Sequence, residues 1–200
     1  MSNPFDQVPV LPVVIPLGVA LFVVLVLGLR SRRLLSLPRV AVAAALSIYV
    51  AGIVANTIFP IFLDAPASDE PWTPSVALVP FVDYEVEDAL INVAVFVPLG
   101  VLIPLLVTRP RWRTVLAIAA GASLAIELLQ LAAQRFFGGG HIADINDFIF
   151  NVAGAAVGYA LFLLVVRTPR GAALIDRFRW NTYDESTISP EDDLAREALD

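Results

Sequence analysis

The sequence predicts an all-α integral membrane bundle of about five membrane-spanning helices, and three observations carry that prediction. Hydrophobic residues make up 58 % of the 200-residue chain and charged residues only 16 %, whereas soluble domains run at roughly 45–50 % and 25 %. Five apolar runs (10–29, 39–63, 89–107, 114–133 and 148–166) each approach the ~20 residues that carry a helix across a ~30 Å hydrocarbon core. The thirteen basic residues are all arginine and cluster at the edges of these runs. A mean hydropathy of +0.78 agrees.

Each run has a reason to be helical. The first carries Pro12 and Pro16 near its start, where proline costs least. No basic segment precedes it and its arginines follow it, so it is read as a retained span and not as a cleaved signal peptide. The second run is expected to end near Pro60. The third contains Pro98, Gly100 and Pro104; a kink there is tolerable where neighbouring helices cover the freed backbone. The fourth and fifth carry the polar residues discussed below.

Arginine placement gives an expected orientation. Arg30, Arg32, Arg33 and Arg39 flank the first two runs, Arg109, Arg111 and Arg113 separate the third from the fourth, and Arg167, Arg170, Arg177 and Arg179 follow the fifth. The loop between the second and third runs carries seven acids and no base. The N-terminus is thus expected outside and the C-terminus in the cytoplasm of a multi-pass cell-membrane protein. Trp112 and Trp180 fall near the inner boundary, Trp72 and Tyr84 near the outer one, as interfacial anchors do. The expected organisation is a first span with its basic turn (1–35), a four-helix membrane domain (36–168) and an acidic cytoplasmic tail (169–200). Within that tail, Ser189-Pro190-Glu191-Asp192 has the pattern of a helix start.

Composition also excludes classes of function. With no cysteine and one histidine, His141, thiol chemistry and multi-histidine metal centres are ruled out. No basic stripe interleaved with aromatics points to nucleic acid. The run Gly138-Gly139-Gly140 follows no strand and precedes no phosphate motif. No cofactor or metal is expected, and the sequence assigns no oligomeric state.

Polar side chains in hydrocarbon cost roughly 2.5–3.5 kcal/mol each on insertion scales, so they call for a reason. Ser123, Glu127, Gln130 and Gln134 are spaced by four, three and four residues and share one helical face. Asp144, Asp147, Asn151, Gly154 and Gly158 form a second such stripe, and Asn92 shares a face with Phe96. Counting from the outer end of the fourth run places Glu127 ~10 Å below the surface at 1.5 Å per residue. Asn92, Asn151 and Asp147 fall near the same level, so a single polar cluster is expected in the outer half of the bilayer. A carboxyl at that depth needs neutralisation or a partner, and Arg135 and His141 are the candidate partners of Glu127. Asp144 and Asp147 also suit the first turn of a helix, where acids complement the dipole. Gly154 and Gly158 make a small-xxx-small pattern that allows close helix contact. The segment Asp88…Asn92-Val-Ala echoes Asp147…Asn151-Val-Ala, and both enter the membrane from the same side.

At these residues the sequence resembles the VanZ-like family of bacterial membrane proteins. The resemblance rests on three blocks that cover residues 76–164: Val79-Pro80-Phe81, similar to an Asn-x-x-Pro-Phe element; Asn92-x-x-x-Phe96-x-Pro98-x-Gly100; and Glu127-x-x-Gln130 followed by Asp144-x-x-Asp147-x-x-x-Asn151-x-x-Gly154-x-x-x-Gly158. The chain departs from the pattern at Ala77 for the first Asn, at His141 for a frequent arginine, and at Asn146 for a frequent acid. The resemblance implies a protein of the cell envelope, since founding members are associated with low-level teicoplanin resistance.

From these readings the expected activity is binding an outer-leaflet lipid or a lipid-linked cell-wall precursor. A glycopeptide-related ligand is a further expected partner. Asn92, Gln130, Asp144 and Asn151 would supply hydrogen bonds, and Arg135 and His141 would meet anionic groups. Pro98, Gly100, Gly154 and Gly158 would pack the helices. Two alternatives stay open: an intramembrane enzyme using Glu127 and Asp147 as an acid–base pair, and a structural subunit of a membrane complex.

Overall fold

A computed structural model of the chain describes residues 7–63, 76–82, 84–108, 110–137 and 143–180. It contains α1 (Val10–Ser31), α2 (Leu37–Ile58), β1 (Val76–Ala77), α3 (Val86–Leu106), α4 (Trp112–Phe137), β2 (Ala143–Asp144), α5 (Ile145–Val166) and α6 (Pro169–Phe178). The first five helices are long and apolar enough to cross a membrane. The chain is an all-α helical membrane bundle, as its apolar runs require. His141, Arg109, Trp72, the triple glycine and the Ser189-Pro190 motif lie outside the described residues.

Local chemistry sets the helix ends. α2 stops at Ile58, because Phe59 precedes Pro60 and is extended at ψ 149°. α5 begins at its N-cap Asp144, whose side chain accepts from the Asn146 N–H. α3 is helical through both Pro98 and Pro104.

α3 and α5 form the most extensive helix pair, and they run parallel. Three glycines permit it. A Cβ on Gly154 would overlap the Val93 backbone, one on Gly158 the Val97 carbonyl, and one on Gly100 the Ala155 carbonyl. The backbones therefore touch, as small residues allow in membranes, where van der Waals packing does the work of the hydrophobic effect. Phe96, Val115, Ala119, Ala155 and Phe162 fill the core beside this contact. Pro98 sits differently. It lies on the exposed side of α3, two residues and so about 200° from Gly100, and takes no part in the glycine contact.

α1 is peripheral. Its principal neighbour is α2, and their shared end is tied by the Val8 N–H donating to Ile61 O at 3.0 Å.

The segment after α5 begins differently from the polar tail expected from residue 169. Thr168 caps α6 by accepting from the Gly171 N–H, with Pro169 in the first turn. Ile175, Phe178 and Trp180 of this amphipathic segment pack against the core. The Trp180 N–H donates to Leu105 O at 2.9 Å, and Arg39 Nε donates to Arg179 O at 2.7 Å. α6 therefore closes the end of the bundle at which most of the arginines gather. The opposite end carries Asp88, Asp144 and Asp147.

Candidate functional site

At the acidic end, the last turns of α4 meet the first turns of α3 and α5. The α4 stripe Val115, Ala119, Ser123 and Glu127 is buried along its length. Each polar member has a specific neighbour. Asn151 Nδ2 donates to Ser123 Oγ at 3.1 Å, linking α5 to α4. Asn92 Nδ2 donates to Asp147 Oδ1 at 2.6 Å, linking α3 to α5. Glu127 Oε2 accepts from the backbone N–H of Asp144 at 2.9 Å, linking α4 to the start of α5. Three helices thus bring polar groups together, each bond between groups far apart in sequence.

Asn146 stands in the sequence only as a departure from the family pattern, yet it anchors this end of the bundle. It is only 1 % exposed. Its Oδ1 accepts from the Phe81 N–H at 2.7 Å, while its backbone N–H and Nδ2 both donate to Asp144 Oδ1, at 2.8 and 3.0 Å. Phe81 has φ 61°, a left-handed conformation costly for a residue with a Cβ. The Asn146 bond and edge contacts of the Phe81 ring with Tyr84 and Phe150, both at 6.4 Å, hold it there. Val76 and Ala77 complete the attachment by pairing in parallel with Ala143 and Asp144. The Val79-Pro80-Phe81 block is thereby clamped over the start of α5. The signal available in the sequence was the position of Asn146 two residues after an N-cap aspartate, in the block that resembles the family.

Beside this clamp lies a cavity of about 340 Å³ lined by Val76, Leu78, Leu124, Glu127, Leu128, Leu131, Ala143, Asp144, Ile145 and Phe148. Its lining is apolar except for two acidic residues, Glu127 and Asp144. Leu124 and Leu128 are 53 % and 59 % exposed, so the cavity opens sideways between helices. Glu127 is 8 % exposed, and its Oε1 meets no hydrogen-bond donor among the described residues, nor does the buried Gln130 Oε1 one turn further along α4.

The expected site residues divide on this geometry. Glu127 and Asp144 line the cavity. Asn92 and Asn151 do not; their amides are spent on Asp147 and Ser123, between helices. Asp147 and Glu127 are held by different partners and do not share a bond. Arg135 is exposed near the end of α4 with its guanidinium 5.8 Å from the Phe136 ring, and it is not part of the cavity lining. Gly100, Gly154 and Gly158 lie in the α3–α5 contact, away from the cavity. Among the described residues no group of three His, Asp or Glu side chains could hold a metal ion.

A family model described as VanZ/LLP1 matches residues 46–166. The chain belongs to the VanZ/LLP1 family. The match runs from within α2 to the end of α5 and includes every element that builds the cavity and its clamp; α1 and α6 lie outside it. No curated protein and no solved structure matches the chain.

Proposed function

We propose that this VanZ-type membrane protein binds the polar head of an outer-leaflet lipid, or of a lipid-linked cell-wall precursor, in the Glu127 cavity. The observation that carries this reading is the combination of a buried carboxyl oxygen that has no donor among the described residues and apolar walls open to the side. A soluble ligand has no use for the leucine wall, and a plain hydrocarbon has none for the carboxyl. An amphiphile matches both. The volume suits a head group, being near the lower end of the ~300–1,000 Å³ typical of small-molecule pockets. Charge supports the orientation this reading needs: with the arginine-rich end in the cytoplasm, as the positive-inside rule favours, the cavity would lie in the outer half of the membrane. That position accords with a role at the cell envelope and with the association of founding family members with teicoplanin resistance.

Native mass spectrometry of the purified full-length protein tests the reading. The wild type is expected to retain bound lipid. Leu128→Trp fills the lateral opening and is expected to lower retention by roughly tenfold or more, the equivalent of losing one good contact. Unchanged retention in a folded Leu128→Trp protein would contradict the reading.

A further inference from the structure

We infer that the lipid taken by the Glu127 cavity is an amine-bearing phospholipid, seated with its ammonium group against Glu127. The inference rests on the reading above and adds the chemical class. Among the described residues the cavity lining contains two carboxyl groups, Glu127 and Asp144, and no base. One oxygen of Asp144 is occupied by Asn146, and Glu127 Oε2 by the Asp144 N–H. Among the described residues Glu127, which lines the cavity and is more than nine-tenths buried, has no donor for its Oε1, and Gln130 Oε1, outside the lining and one turn further along α4, has none either.

These are acceptors. A phosphate or carboxylate head would bring acceptors to acceptors and negative charge to carboxyls. A sugar hydroxyl would donate without offsetting charge. A primary ammonium has three donors, no acceptor, and the charge that a buried carboxylate requires. A free inorganic cation would leave the leucine wall unused. The exposed Leu124 and Leu128 are placed for an acyl chain, so the ammonium arrives on a membrane lipid. The phosphate then remains toward the head-group level, away from the two acids.

The test is native mass spectrometry of the full-length protein from nanodiscs holding equal amounts of phosphatidylethanolamine and phosphatidylglycerol. The wild type is expected to retain the ethanolamine lipid about tenfold over the glycerol lipid, as one charge-assisted hydrogen bond supplies. Replacing it with N-acetylated phosphatidylethanolamine, which removes the charge, is expected to abolish the preference without altering the protein. Glu127→Gln is expected to do the same. If the wild type retains both lipids equally, or retains the acetylated lipid as well as the free amine, the amine assignment is overturned. In that case Leu128→Trp separates the two claims. Retention lost in this variant leaves lipid binding standing, and retention unchanged removes it as well.

Discussion

Gly158→Leu is expected to leave little folded protein. A Cβ at this position would overlap the Val97 carbonyl and come within 3.0 Å of the Gly100 Cα. Both obstacles are backbone, so no side chain can turn aside to make room. The helices would have to separate, and with them the Val93–Gly154 and Ala155–Gly100 approaches that continue the same seam. Overpacking against movable neighbours costs ~1–3 kcal/mol; here a cost of at least about 4 kcal/mol is expected, in the range that only severe core defects reach. Thermal stability by fluorescence-detected size exclusion in detergent measures it. Gly121→Ala serves as the control, since nothing lies within 4 Å of a Cβ there, and it is expected to change stability by less than about 0.5 kcal/mol. Near-wild-type stability of Gly158→Leu would mean that α3 and α5 do not meet along this seam.

Asn146→Ala is expected to release the loop over the cavity while leaving the bundle intact. The variant removes the acceptor for the Phe81 N–H and the Nδ2 donor to Asp144 Oδ1. An unmade buried hydrogen bond costs about 1–3 kcal/mol, and here the loss falls on a segment whose other attachments are the two-residue β1–β2 pairing and the aromatic contacts of Phe81. The left-handed Phe81 adds to the tendency to open. A local opening made easier by about 2 kcal/mol corresponds to a roughly 30-fold faster amide exchange at Phe81. Amides in the middle of α3 and α5 are expected to exchange at the wild-type rate. Uniformly faster exchange across all helices would show that Asn146 supports the whole bundle instead.

Much of this architecture is legible in the sequence, for identifiable reasons. Span length is fixed by bilayer thickness, so an apolar run of about 20 residues announces a crossing helix. The polar face of α4 shows in the three- and four-residue spacing of Ser123, Glu127, Gln130 and Gln134. Spacing gives a face, however, and not a partner. Nothing in the periodicity says that Asn92 meets Asp147 or that Asn151 meets Ser123, because those bonds depend on which helices are neighbours. Asn146 was hidden for a related reason. It is one residue off the Asp144–Asp147–Asn151 stripe, about 100° around the helix, and its distant partner, Phe81, lies in a loop more than sixty residues earlier. Pro98 misled through its sequence neighbourhood: it shares a block with Gly100 but points the other way. α6, ten residues long and rich in arginine, fails any test for an apolar span, although Thr168-Pro169 carried the start signal.

The site depends on the Glu127 side chain of α4 meeting the start of α5 at Asp144. The natural chain has no cysteine, so introduced thiols report without interference. A Glu127→Cys, Asp144→Cys double variant treated in native membranes with a short thiol-specific cross-linker is expected to join the two positions efficiently. The paired control, Leu129→Cys with Asp144→Cys, places the first thiol on an exposed face of α4 and is expected to stay unlinked. Failure of the 127–144 pair to link, with both thiols reactive toward a monofunctional reagent, would contradict the account.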